Sequence, residues 1–227
     1  MLSKRLQQVA DTVNKSNIVA DIGTDHAYVP IYLVKNNVVN KAIAADISQG
    51  SCKKAQLNVN NNHLSDLIDV RCGNGLEVIN SDEEVDTIVI AGMGGLMTIS
   101  VLESNKQAVN NASQLVLQPQ KDISKVRQYI HSIGYKITDE VMLIDANKYY
   151  NVINAEKGNE EYTELEYLFG KILIENKSEI LKEYVNVELN KIITVLKNMK
   201  DNGKGNSDDY KRLNHLKECY LEVKECL

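Results

Sequence analysis

Tryptophan is absent from this 227-residue chain, phenylalanine occurs once, and proline only twice, at Pro30 and Pro119. No apolar run approaches the roughly 18 residues that a membrane-crossing helix needs. The opening Met1-Leu2-Ser3-Lys4-Arg5-Leu6-Gln7 lacks the apolar stretch of a secretory signal. The four cysteines, Cys52, Cys72, Cys219 and Cys226, form no C-x-x-C pair, so neither a zinc site nor a disulfide framework is expected. Neither sign of charge dominates. A net charge of −5 argues against binding nucleic acid through bulk positive charge. Disorder, collagen and disulfide-stapled miniproteins are excluded by a hydrophobic fraction of 43% and a charged fraction of 25%. The expectation is a cytoplasmic protein with reduced thiols, no metal and no membrane contact, its oligomeric state left open between monomer and oligomer. Tyrosine, by contrast, occurs 11 times, so much aromatic surface carries a hydroxyl that needs a partner.

The first two-thirds alternates short apolar runs with helical patterns. Ile18–Gly23, Ala42–Asp46, Ile68–Cys72, Thr87–Gly92 and Leu115–Pro119 read as strands. Their continuous apolar character suits a parallel sheet covered on both faces. Crossover helices fit at about 28–37, 48–62, 94–104 and 122–133. Lys136–Ile144 and Tyr149–Ala155 follow with no helix between them, and read as an antiparallel pair. An open α/β sheet of about seven strands results. From about residue 160 the pattern changes. Leu165, Leu168, Ile172, Ile180, Tyr184, Val187, Ile192, Leu196 and Met199 recur near helical spacing, and after the turn at 201–208 so do Leu213, Leu216, Tyr220, Val223 and Leu227. This predicts a helical hairpin whose apolar stripe zips two helices together, with Ser207 or Asp208 capping the second. The expected division is 1–158 and 159–227.

Ligands of such sheets bind beyond the carboxyl ends of the strands. Polar residues gather there in order: Asp21 to Pro30 after the first strand, Asp46 after the second, Gly73-Asn74-Gly75 after the third, Gly92-Met93-Gly94-Gly95 after the fourth, Gln118-Pro119-Gln120 after the fifth. The first loop has no Lys-Ser/Thr for a triphosphate and only the first Gly of a dinucleotide fingerprint. Asp21 and Asp25 would repel a pyrophosphate but favour a ligand bearing an ammonium and a sulfonium. S-adenosylmethionine is such a ligand. Asp21 would face its ammonium beside the Gly23 loop, Asp46 its ribose hydroxyls, and Asn74 its adenine edge.

These residues resemble a known family. Asp21-Ile22-Gly23-Thr24-Asp25-His26-Ala27-Tyr28-Val29-Pro30, Gly73-Asn74-Gly75-Leu76, Ile90-Ala91-Gly92-Met93-Gly94-Gly95, Leu117-Gln118-Pro119-Gln120 and Lys148-Tyr149-Tyr150 are together similar to the bacterial tRNA adenine-22 N1-methyltransferases. The resemblance implies a Rossmann-like class I methyltransferase with a seven-stranded, mostly parallel sheet and a C-terminal coiled coil. It also implies S-adenosylmethionine as cofactor and methylation of adenine 22 in the tRNA D-arm. A non-catalytic S-adenosylmethionine-binding scaffold or sensor with the same fold is the alternative.

On this reading Asp21, Gly23, Asp46, Ile47, Asn74, Gly75 and Gly92 contact the cofactor. Asp25 and His26 are the catalytic candidates: Asp25 could orient the histidine or accept from the base's amine, and His26 could contact the base or take up a proton as that amino group acidifies. Asp25 could equally cap the following helix. Tyr28 could stack on an extruded base. Met93, Gly94, Gln118, Lys121 and Arg127 complete the expected RNA side, where basic side chains would meet phosphate.

Overall fold

The computed structural model describes residues 2–227, which form two compact units meeting between Glu161 and Tyr162. In the first unit, seven strands form one sheet: β1 (Ser16–Ile22), β2 (Val39–Asp46), β3 (Ile68–Cys72), β4 (Thr87–Ala91), β5 (Gln114–Gln118), β6 (Tyr135–Asp145) and β7 (Lys148–Lys157). Their order across the sheet is β3-β2-β1-β4-β5-β7-β6. The first five run parallel; β7 pairs antiparallel to both β5 and β6. The chain winds from β1 out to β3, then returns to lay β4 on the other side of β1. Ala20 of β1 therefore sits opposite Ile43 on one flank and Ile88 on the other. That reversal opens a crevice above the carboxyl ends of β1 and β4, where open sheets bind ligands.

Central strands are apolar throughout because both faces are covered. Val19, Ala20, Ile88, Val89, Ile90, Leu115, Val116 and Leu117 have essentially no exposed surface. The covering helices are α1 (Lys4–Asp11), α2 (Tyr28–Lys35), α3 (Gln49–Asn61), α4 (Gly95–Ser104), α5 (Lys106–Asn111) and α6 (Ile123–Ser132). Four of these are the crossover helices read from the sequence. α1, α5 and a single 3-10 turn at Gly75–Val78 were not anticipated. α1 begins at Ser3, whose hydroxyl accepts from the Leu6 amide at 3.3 Å, and α3 at Ser48, whose hydroxyl accepts from the Ser51 amide at 3.4 Å.

One expected RNA contact lies in this core instead. Arg127 is 1% exposed on α6 and forms an ion pair with Glu140 of β6, Nη2 to Oε1 at 2.5 Å and Nε to Oε2 at 3.2 Å. Asn151 donates to the same Oε1 at 3.0 Å. Arg127 falls on the buried face of α6 with Val126 and Ile130, and a buried guanidinium demands such a carboxylate. It cannot reach an RNA phosphate.

The second unit contains α7 (Glu164–Phe169), α8 (Lys171–Glu175), α9 (Glu179–Asp201) and α10 (Asp208–Cys226). The hairpin expected from residue 160 onward is thus confined to α9 and α10. Two short helices precede it because Gly170 (φ 93°) and Lys177 (φ 48°) break the helical path. Ser207 caps α10 by accepting from the Tyr210 amide at 3.2 Å. On α9 the buried stripe is Leu181, Val185, Leu189, Ile192 and Leu196. Val187, expected in the stripe, is 38% exposed. Phe169 and Tyr220 meet edge to face, with ring centroids 4.8 Å apart. Glu164 Oε1 and His215 Nε2 lie 2.9 Å apart on the surface with the Cys219 thiol beside them, a juxtaposition that no cysteine spacing foreshadowed.

Candidate active site

At the end of β1, the chain turns through Gly23, whose φ of +85° is a left-handed conformation that side chains disfavour. The Gly23 and Thr24 amides both donate to the Ala45 carbonyl of β2, at 2.7 and 3.0 Å. Asp21, two residues earlier on β1, is only 5% exposed. Burial pushes its carboxyl up to about 6; a bond from Thr24 opposes this, and the nearby Asp46 charge adds to it. A buried acid held this high gains most from a cationic ligand.

Asp46 ends β2. Its Oδ1 accepts from the Ser48 amide at 2.7 Å, which fixes the loop into α3 and leaves the other oxygen for a ligand. Ile47 beside it is 71% exposed, an apolar platform at the strand end. After β3, Asn74 is exposed and its amide donates to Glu77 Oε1 at 3.1 Å. Gly75 (φ +53°) brings the 3-10 turn close to α4, where a Cβ would lie 3.0 Å from Ser104 Oγ.

The loops after β4 and β5 are bound to each other through their backbones. Gly92 N donates to Gln118 O at 3.1 Å, Gln120 N to Met93 O at 2.8 Å, and Gly95 N to Lys121 O at 2.9 Å. A Cβ on Gly95 would stand 2.6 Å from the Lys121 carbonyl, so this glycine is required by the loop pairing itself. Gly94 lies under the aliphatic part of Lys121, whose chain is otherwise exposed. The two strand ends thus form one rigid lip. Gln118, expected to read a base edge, has no exposed surface, and its Oε1 accepts from Arg5 Nη1 at 2.6 Å. It supports the lip from beneath.

Asp25 does not cap α2. The cap position is Ala27, in a left-handed conformation (φ 54°), and its amide is satisfied by the Thr24 hydroxyl at 3.0 Å. Asp25 instead faces a polar chain. Its Oδ2 lies 3.1 Å from His26 Nε2 and its Oδ1 3.2 Å from Lys54 Nζ. The bonds from Lys54 and Ser51 hold its carboxyl below the usual range. Asn58 donates to the His26 carbonyl at 3.0 Å and lies 3.4 Å from Nδ1. With Asn58 donating to Nδ1, the proton sits on Nε2 and points at Asp25. Tyr28 stacks on the imidazole, 4.9 Å between centroids at 8°, while remaining 47% exposed. Ser51, Lys54 and Asn58 escaped the sequence reading. Their spacing of three and four residues along α3 was the available signal.

A buried acid beside a glycine turn, a second acid at the neighbouring strand end and an exposed apolar residue next to it fit S-adenosylmethionine. Its ammonium, ribose and adenine have chemically matched partners here. Sheet order, the antiparallel β7 and this donor set define a class I, Rossmann-like methyltransferase. The chain belongs to the tRNA (adenine(22)-N(1))-methyltransferase family, whose model matches residues 19–222. A Bacillus subtilis tRNA (adenine(22)-N(1))-methyltransferase is 41% identical over 160 residues, 70% of this chain and 67% of that one. A Streptococcus pneumoniae protein solved in complex with S-adenosyl-L-methionine is 30% identical, covering 99% of this chain and 100% of that one at a TM-score of 0.90. The M. capricolum member solved with S-adenosyl-homocysteine is also 30% identical, covering 100% and 99%, with a TM-score of 0.91. This chain is accordingly a tRNA (adenine-N1)-methyltransferase that uses S-adenosylmethionine. None of these relatives supports the alternative of a non-catalytic sensor.

Proposed function

We propose that this chain methylates N1 of adenine 22 in tRNA at the lip described above, with the base received between the Asp25–His26 cluster and the loops after β4 and β5. The observation carrying this reading is the buried Asp21 carboxyl paired with Asp46 at the next strand end, an arrangement built for a cationic nucleoside donor. When bound, S-adenosylmethionine supplies an electrophilic methyl group. Asp21 holds the ammonium, the free oxygen of Asp46 takes the ribose hydroxyls, and Ile47 covers the adenine. Asn74 and Gly75 border that same adenine, and the Gly23 and Gly92 turns contribute backbone to the site's wall.

Adenine N1 is neutral near pH 7 and already carries its lone pair, so no base need deprotonate it. The ring becomes cationic as the new bond forms. Asp25 then favours the reaction by lying near the exocyclic amine, where positive charge grows. His26 is held by Asp25 and Asn58 and presents Tyr28 as a stacking face, so its contribution is orientation. Met93, Gly94 and Lys121 border the entrance on the RNA side. With tRNA as its substrate, the protein is expected to act in the cytoplasm. The test is incubation of unmodified tRNA with labelled S-adenosylmethionine, followed by nucleoside mass spectrometry. The expected product is 1-methyladenosine at position 22, lost when adenine 22 is replaced by guanine. Label on another nucleoside, or none, overturns the proposal.

A further inference from the structure

Arg5 belongs to α1, remote in sequence from every strand-end loop, yet its side chain ends at the lip. Its backbone amide donates to Asp145 Oδ2 at 3.0 Å, which ties α1 to the end of β6. Its Nη1 donates to Gln118 Oε1 at 2.6 Å, and its guanidinium lies 5.5 Å from the centre of the Tyr150 ring. The same Nη1 stands 3.6 Å from where a Cβ on Gly92 would be. Neutral groups hold this cation. Among the described residues no carboxylate forms an ion pair with it, although it is half-buried. A guanidinium carries five N–H donors, and Gln118 takes only one. A half-buried charge fixed by neutral partners, with donors to spare, calls for an anion from outside the protein.

The arrangement of charge across the sheet says which anion. Acids occupy the β1 and β2 ends, at Asp21, Asp25 and Asp46. The cations Arg5 and Lys121 gather at the β4 and β5 ends, where the acids present are already engaged, Asp122 by Lys125 at 3.1 Å and Asp145 by the Arg5 backbone amide. The methyl donor is a cation and belongs over the acids. RNA is a polyanion and belongs over the cations. We infer that Arg5 binds a backbone phosphate of the tRNA next to the target nucleotide, taking the part that sequence reading had given to Arg127. This rests on the methyltransferase reading above and adds a substrate-positioning residue to it.

The test uses the full chain and fluorescently labelled unmodified tRNA, titrated without cofactor between about 50 and 200 mM salt. Arg5→Gln is expected to weaken tRNA binding roughly 10- to 100-fold. It should also lower the slope of log affinity against log salt by about 0.7–0.9, the release of one phosphate's counterion. Arg5→Lys keeps a charge there and is expected to retain the wild-type slope. Cofactor affinity by calorimetry should be unchanged in both. Three outcomes overturn the inference. Weakened cofactor binding with an intact tRNA slope would assign Arg5 to the donor's carboxylate. Weakened tRNA binding with an unchanged slope would make Arg5 only a brace for Gln118. Wild-type behaviour in Arg5→Gln would make it an idle surface charge. Wild-type protein that transfers no methyl group to tRNA would instead overturn the reading beneath.

Discussion

A Cβ on Gly23 would lie 2.1 Å from the terminal methyl of Met93. The loop after β1 and the loop after β4 therefore meet at a side chain poised over bare backbone. Gly23→Ala faces two separate costs. The left-handed φ costs about 1–2 kcal/mol for any residue with a Cβ. The contact with Met93 is relieved by moving a flexible thioether. Gly23→Ala is expected to lower the melting temperature by several degrees and to weaken cofactor binding at least about tenfold, the scale of one lost contact of 1–2 kcal/mol. Adding Met93→Ala should restore only the steric part. Full recovery in the double variant would show that backbone strain contributes nothing.

Asp21 makes two opposite pH predictions. Its carboxyl is raised from 3.8 to about 6, so the folded state holds a proton that the unfolded state releases between those values. Without ligand, this group's stabilisation is full below about pH 4 and is lost as pH rises through 6. The span corresponds to roughly 3 kcal/mol. Asp21→Asn should flatten that part of the stability profile, read from urea melts at pH 4.5 to 7.5. Cofactor binding runs the other way. A cationic ligand favours the ionised carboxylate, so affinity should fall below about pH 6 in the wild type. Calorimetry showing the same fall in Asp21→Asn would remove Asp21 from the site.

Arg127 and Glu140 are expected to matter for folding alone. Removing one partner from a buried ion pair typically costs 3–5 kcal/mol, because the other charge is left unpaired. Arg127→Leu should therefore melt far below the wild type. Replacing both by leucine should recover much of the loss. The surviving protein should bind tRNA with a wild-type salt dependence. A reduced slope in the double variant would restore Arg127 to the RNA surface.

His26→Ala and Asn58→Ala are expected to slow single-turnover methyl transfer by at least about tenfold, since misplacing a reacting base by an ångström can cost about a hundredfold. Cofactor affinity should stay within about twofold, because the contacts of these two side chains run to each other and to Asp25 rather than to Asp21 or Asp46. Rapid-quench kinetics with saturating tRNA measures the first quantity and calorimetry the second. Wild-type single-turnover rates in both variants would leave the cluster a purely local support for α2.

The strands and the acids of the site were legible because they are local. An apolar run such as Thr87–Ala91 and a turn such as Asp21-Ile22-Gly23 state their roles within a few neighbours. A sheet of this class then brings the strand ends to one edge. The family strings did the same for the reaction. What the tertiary structure alone decided concerns partners distant in the chain. Arg127 and Arg5 are both arginines on helices, and nothing near either separates them. One meets Glu140 across the core, and the other reaches Gln118, 113 positions away, at the mouth. Asp25 read equally well as a cap or as a site residue until Ala27 took the cap and Lys54 and His26 took the carboxylate. Short-range patterning determines which segments pair. A charged side chain's role is set by which opposite charge, or none, folding delivers to it, and that is a property of contacts the sequence does not order.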